Sequence, residues 1–486
     1  MHALGSEPNP NPEWLIDSRR STLLLVILVT LATGCSQIGD YQRPATHIPE
    51  KWKYVAADES QQRAAQIDWR TFFQDVRLQA LIASALDHNS DLRLALSRVS
   101  ETRAQFGIVS ADRLPSANLS LTKSKSQIAS QFTGTDHPVT TERNELALTA
   151  ISFELDFWGR VANLSEAAKA SYLASESASR AMRISLISEV ANLYFTLLEL
   201  DERTAISRSA IETRTNYRDL MRRGMELGAA ARSDVLLAQG ALHSAQAELA
   251  VLINLRESTE HGLLLLTGRP TIELPQGKKL HQQEVRNDLA PGIPSEVLYA
   301  RPDVIAAENR LKEAHANVGA ARAAFLPKML LTVGVGLASR SLAALFGAGT
   351  GDWTYQPAIS MPLFDGGRTA AYENIAEARK HGAVADYEKT IQQAFREVAD
   401  LLSARTSLAD QRQATEASVR AYEERLIVAE ARFKSGSASY LEVLDAQREL
   451  LAQQQVAVQI RRAQLTTAAQ LYKALGGGDT LGPPEA

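Results

Sequence analysis

The chain writes the same helical phrase twice. "RRGMELGAAARSDVLLAQGALHSAQ", beginning at Arg222, aligns without a gap on "EARFKSGSASYLEVLDAQRELLAQQ", beginning at Glu430; Gly228 meets Gly436, Val235-Leu236 meet Val443-Leu444, and Gln246 meets Gln454. The register continues outward. "ELDFWGR" (154–160) meets "PLFDGGR" (362–368), and "LLTGRP" (265–270) meets "KALGGG" (473–478). Upstream, "ADRLPSANLSLT" from Ala111 meets "AAFLPKMLLTVG" from Ala323 at a slightly larger offset, so a few extra residues belong to an intervening loop. A repeat this long is a duplicated structural unit rather than a short solenoid repeat. It divides the chain into a first copy over 78–270, a linker over 271–294, a second copy over 295–478 and a tail over 479–486.

Within each copy the order reads helix, hairpin, long helix, turn, helix. The opening helices are expected from Leu78 to Arg113 and from Ser295 to Phe325, each stopped by a proline, Pro115 or Pro327. From Met329, apolar residues at 329, 331, 333, 335 and 337 alternate with small or polar ones, and Pro357, Ile359, Met361 and Leu363 repeat the pattern on the return. Such period-two alternation marks strands with one apolar face. In the first copy Leu119 and Leu121 are followed by Leu146, Leu148 and Ala150, then a phase shift to Ile151, Phe153 and Leu155 that a bulge would explain. Loops are expected over 126–143 and 339–352.

No Gly or Pro occurs from Arg160 to Arg223, and only Gly382 interrupts Arg368 to Ser435. A helix of that length extends on the order of 95 Å, and no single globular core needs it. Charges recur every few residues, which argues against a membrane span and for coiled-coil packing. The composition agrees: 45% hydrophobic, 22% charged and only 6% aromatic residues favour helix over sheet. A net charge of −4 gives no basic footprint for nucleic acid.

The hairpins pose a harder constraint. Four strands cannot close a membrane barrel, whose bacterial examples start at about eight. An open edge in lipid would leave backbone groups unpaired at several kcal/mol each. Either copies of the chain pool their strands, three of them giving a twelve-stranded barrel over a ring of helices, or the hairpins lie in the periplasm against helices.

The single cysteine sits in "RRSTLLLVILVTLATGCSQ". A basic flank, a short apolar run and small residues ending in Gly34-Cys35 read as a secretory signal over 1–34 that resembles a lipobox. Cys35 would then be acylated, for instance by palmitate, and would open a periplasmic segment over 35–77. Ser36 after the cysteine points to the outer membrane.

Together, "WRTFFQDVRLQALIASALDHNSDLRLA", "ELDFWGR", "RPDVIAAENRLKEAHANVGAARAAFLP", "PLFDGGR", "SGSASYLEVLDAQREL" and "LYKALGGG" resemble the TolC-like outer-membrane factors, in the NodT-type lipoprotein branch. The resemblance spans nearly all of the mature chain. It implies a mostly helical fold with a membrane β part: a homotrimer whose shared twelve-stranded barrel stands over an α-helical coiled-coil tunnel. It also implies passive outer-membrane conduction for an efflux system, docked to a periplasmic adaptor and an inner-membrane transporter. A duct for type I protein secretion shares that fold and is the alternative; a structural envelope rod is a third reading.

No enzymatic chemistry is legible, and no cofactor is expected. The nine histidines lack ligand spacing, one cysteine cannot build a thiolate site, and "GRPTIELPQGKK" has the wrong spacing for a phosphate-binding loop. Candidate function lies instead where the copies differ. Both have a turn glycine, Gly228 or Gly436, and in the second Ser439 and Glu442 form an S-x-x-E capping-box pattern that starts a helix at Tyr440. Leu441 replaces Ser233, Asp445 replaces Leu237, and Arg448 replaces Gly240. The bland reading is an exposed Asp–Arg pair one turn apart. By resemblance, the matching leucine and aspartate form constriction rings at the periplasmic tip and the arginine helps hold it shut. Leu237 is not expected to line that constriction.

Overall fold

The structure, a computed structural model, describes residues 39–45, 48–49, 52, 67–271, 274–285 and 294–478. Cys35, the signal-like segment and the tail 479–486 lie outside the described residues. The described residues fall into two compact units: one comprises 39–44, 102–172 and 309–384, the other 45, 48–49, 52, 67–101, 173–271, 274–285, 294–308 and 385–478.

In the first copy the elements are α1 (Trp69–Phe72), α2 (Val76–His88), α3 (Ser90–Ala111), β1 (Asn118–Ile128), the short α4 (Ser130–Thr133), β2 (Val139–Glu154), α5 (Arg160–Glu226) and α6 (Arg232–Thr267). The second copy has α7 (Pro294–Ala300), α8 (Pro302–Ala323), β3 (Lys328–Ser339), β4 (Gly351–Ser360), α9 (Arg368–Lys434) and α10 (Tyr440–Ala474). The two long helices, α5 and α9, are each 67 residues. By length and composition α5 and α6 each contain a window apolar enough to cross a membrane. Half of that window in α5 is buried, and the helix supplies Ile184, Leu186, Ile187, Val190, Tyr194 and Phe195 to the protein interior.

Each opening helix is broken in two, which the apolar pattern does not reveal. In the first copy Asn89 interrupts: its Oδ1 accepts from Leu92 N–H at 2.9 Å and so caps α3, and its Nδ2 donates to Leu266 O at 3.0 Å. In the second copy the break falls at Arg301, before Pro302, and proline disfavours the helical conformation in the residue before it. The repeat sets Arg301 opposite Asn89 and Ala474 opposite Leu266. Arg301 Nη1 donates to Ala474 O at 2.9 Å, so both breaks tie back to the same carbonyl of their own copy's last helix.

The sheet is antiparallel throughout, in the order β1-β2-β3-β4. Its register slips between Ala150 and Phe153 on β2, which pair with Val333 and Leu331. That bulge lies where the alternation changes phase. The strands run further than the apolar pattern: β1 reaches Ile128 opposite Val139, and β4 starts at Gly351. Polar cross-strand pairs carry the extension, Lys123–Glu142 at 2.7 Å and Ser126–Thr141 at 2.8 Å.

The second unit has the larger interior. Phe72 stacks on Tyr472 with centroids 4.2 Å apart, and Phe73 meets both edge-on. Buried Asp75 anchors it: Oδ1 caps α2 through Arg77 N–H at 2.9 Å, while Oδ2 accepts from Tyr194 OH at 2.8 Å, Lys278 N–H at 3.1 Å and Gln283 Nε2. Four donors satisfy a carboxylate that would otherwise cost several kcal/mol to bury. Tyr194 is held protonated well above its ordinary range by burial and by the bond to Asp75.

Candidate functional site

Two features of the described residues bear on function. The first is the sheet. Register places Leu119, Leu121, Leu146, Leu148, Leu331, Val333, Val335, Leu337, Trp353, Tyr355 and Ile359 on one face. Trp353, Tyr355, Leu119 and Ile359 are all more than 60% exposed. The opposite face carries Ser120, Thr122, Glu145, Thr149, Gly334, Gly336, Asp352, Thr354 and Gln356. One apolar and one polar face, strands of 10 to 16 residues, and aromatic side chains in the apolar band are the features of a transmembrane barrel wall. β1 and β4 have no partner on their outer edges among the described residues.

The second feature is the pair of helical hairpin tips. Each long helix ends in the same motif. Gly228, at φ +77°, donates to Met225 O while Ala229 N–H reaches back to Gly224 O at 2.7 Å. Gly436, at φ +76°, and Ser437 repeat this with Phe433 O and Arg432 O. These paired reverse bonds close the helix carbonyls around a left-handed residue, a conformation glycine adopts without steric cost. Behind the turns Tyr217, Met221, Val235, Ala238, Phe433, Tyr440, Val443 and Ala446 form one small apolar cluster, with Tyr217 stacked on Tyr440 at 5.6 Å. The two tips therefore stabilise each other.

α10 starts at Tyr440 with Ser439 as its cap residue, but the Ser439 side chain makes no capping bond. The expected box does not form because Glu442 is engaged elsewhere: its carboxylate pairs with Arg432 Nη1 across the turn. A charge-assisted bond outcompetes one to a backbone N–H. The half-box occurs in the first copy instead, where Asp234 Oδ2 accepts from Ala231 N–H at 3.3 Å.

Asp445 lies at the centre of a charged trio. Its Oδ2 accepts from Arg425 Nη2 at 2.5 Å and its Oδ1 from Arg448 Nη2 at 3.1 Å. Arg448 also approaches Glu449 at 3.5 Å. Arg425, on α9, is absent from the sequence-derived set. The signal for it was present one helix upstream, since the first copy has Tyr217 at that position. The trio is 39–70% exposed, so in one chain its ion pairs are worth under about 1 kcal/mol each. They add little to the stability of the fold. Leu441, one turn before Asp445, is 58% exposed.

Leu441, Leu444, Asp445 and Arg448 line a groove of about 970 Å³, and Ser233, Leu236, Leu237 and Gly240 line it too. This groove lies within one chain, whereas the expectation about Leu237 concerns the constriction of an assembled tip. The last helices of the two copies share the groove, so equivalent positions face one space. Deeper in it Gln455 joins both copies, accepting from Arg203 Nε at 2.6 Å and donating to Ser207 Oγ at 3.1 Å. No group of three or more His, Cys, Asp or Glu side chains positioned for a metal ion occurs among the described residues.

The family model described as outer membrane efflux protein matches residues 81–269 and 293–477. The chain is 36% identical over 454 residues to outer membrane protein OprJ of Pseudomonas aeruginosa, covering 93% of this chain and 95% of that one. It is 38% identical over 467 residues to the cation efflux system protein CusC of Escherichia coli K12, covering 94% and 99%. Among solved structures, the open state of the Neisseria gonorrhoeae MtrE outer membrane channel superposes with a TM-score of 0.83 at 34% identity, over 91% of this chain and 98% of that one.

Proposed function

The chain belongs to the outer membrane efflux protein family, and on that premise we propose that three copies assemble into one duct whose helical tips form an adjustable entrance on the periplasmic side. It is an outer-membrane channel of an efflux system, spanning the periplasm and conducting passively. The observation that carries the trimer is the four-stranded sheet with an exposed apolar face and two unpaired edges. In lipid each unpaired backbone group costs several kcal/mol, so β1 of one copy needs β4 of another. Three such sheets make a closed wall of twelve strands. The periplasmic adaptor and inner-membrane transporter supply the drive.

At the tip, three Asp445 carboxylates would face one another around the threefold axis beside a ring of Leu441. Like charges that close repel, and Arg425 and Arg448 offset that repulsion. Leucines narrow and dewet the opening while the charged ring selects among ions. Opening requires a partner that competes for the arginine contacts and so binds the open tip better than the closed one.

Cys35 is the proposed lipid attachment point. Cys35→Ser should abolish metabolic labelling with palmitate, and label retained on that variant rejects the assignment. The mass of protein extracted from outer membranes in detergent tests the duct itself. Three chains per particle and ion conduction in planar bilayers are expected; a fully active monomer would end the barrel reading.

A further inference from the structure

The apolar face of the sheet ends differently at its two edges. At the end joined to the helices its last residues are Phe153, Met329 and Ile359, and no strand residue on that face there is charged. Glu154 and Lys328 belong to the opposite face. At the hairpin end the apolar band stops at Leu121, Leu146 and Leu337. The next positions on the same face are Lys123, Asn144 and Ser339, then Lys125 and Glu142, then Gln127 and Thr140. The β1–β2 turn lies at this end, opposite the entry of α3 and the exit of α5, so the lysines stand on the side away from the periplasm.

The charges here do not cancel. Lys123 Nζ pairs with Glu142 at 2.7 Å, and 64% of its side chain stays exposed. Lys125 sits directly across from Glu142 in the register but makes no hydrogen bond or ion pair among the described residues. Asp136, in the turn, pairs with neither lysine. One carboxylate against two ammonium groups leaves this edge positive. Closing the barrel would not neutralise it, because β4 brings Trp353, Tyr355, Pro357 and Ile359 to this face, while its Asp352 lies on the other and is held by Arg143.

A lysine on the lipid face is costly at mid-depth and far less so near the interface. Its stem can lie along apolar surface while its ammonium reaches a plane of phosphates. Lys123 and Lys125 are two residues apart on one face, roughly 7 Å along the strand, which suits a head group with more than one phosphate. Gln127 and Thr140, beyond them, offer an amide and a hydroxyl to sugar hydroxyls, which a glycerol phospholipid lacks. We propose that Lys123 and Lys125 of each protomer grip the phosphates of a phosphorylated glycolipid in the outer leaflet, its acyl chains against the apolar band.

The lysine site requires that the barrel wall stand in the outer membrane, and it requires no particular number of chains. Native mass spectrometry of the full-length protein in detergent tests it, by titration with bisphosphorylated lipid A or phosphatidylglycerol and competition by inorganic phosphate. Lipid A should bind once per protomer and more tightly than phosphatidylglycerol. Lys123→Gln with Lys125→Gln should weaken it roughly tenfold or more, while Lys123→Arg with Lys125→Arg should retain it. Lys125→Gln alone should weaken it more than Lys123→Gln, because Glu142 already engages Lys123. Lipid A binding that survives the double glutamine substitution overturns the proposal. So does equal affinity for phosphatidylglycerol, or displacement of lipid A by millimolar inorganic phosphate. The same masses count chains: lysine-dependent lipid A on a monomer would end the trimer reading and keep the site, whereas a trimer with no lysine-dependent lipid A rejects the site and keeps the duct.

Discussion

The two hairpin tips have the same backbone and opposite chemistry. Both close on a left-handed glycine with the same pair of reverse hydrogen bonds, and both contribute to one apolar cluster. Yet where the first tip has Tyr217, Leu237 and Gly240, the second has Arg425, Asp445 and Arg448 joined by ion pairs. Duplication supplied a scaffold that needs no charge at these positions, because the first copy folds the same turn without it. The charged trio is therefore not required to fold the turn, which leaves it available for the proposed gate.

The opposite ends of the copies show a similar division, and substitutions there can break or sharpen the comparison. Gly268 and Gly476 both end their copy's last helix at positive φ, but only at Gly268 would a Cβ collide with backbone, 2.3 Å from His88 O. Gly268→Ala should cost about 3–4 kcal/mol from left-handed strain plus the clash, read as a lowered unfolding midpoint or a failure to accumulate. Arg301→Ala comes next. It leaves the Ala474 carbonyl and the Asp303 and Glu397 carboxylates without their shared donor, a loss of about 2–3 kcal/mol. Asn89→Ala removes the neutral version of the same tie, together with the α3 cap, and should cost about 1–2 kcal/mol. Gly476→Ala, with open space around it, should cost only about 1–2 kcal/mol from the backbone alone. If Gly268→Ala and Gly476→Ala unfold at the same midpoint, the copies are not fixed differently here. Leu237→Asp is the smallest: it adds a carboxylate to the shared groove without removing a contact, so stability should hold within about 0.5 kcal/mol. Its effect on conductance should be less than that of removing the trio's arginines.

Much of this was legible in the sequence because duplication prints the same signals twice. A stretch without Gly or Pro defined α5 and one with Gly382 alone defined α9, and alternating apolar residues defined the sheet, including the phase change at Ala150. What stayed hidden depends on long-range partners. The break at Asn89 is set by a carbonyl in α6, far along the chain. Ser439 and Glu442 look like a box until Arg432 claims the glutamate. Arg425 lies on a different helix from Asp445, so local spacing could not pair them. That Leu237 and Asp445 line one groove depends on how α6 and α10 face each other, which a comparison of aligned copies does not show.

Single-channel conductance in planar bilayers tests the division between the tips most directly. Arg425→Ala combined with Arg448→Ala should raise conductance at least about twofold over the parent channel, and Asp445→Ala should shift ion selectivity away from cations. Leu237→Asp, measured alongside, should change conductance less than the arginine pair does. Unchanged conductance and selectivity in the Arg425, Arg448 and Asp445 variants, with trimers intact, would contradict the gate and leave the trio as surface ion pairs.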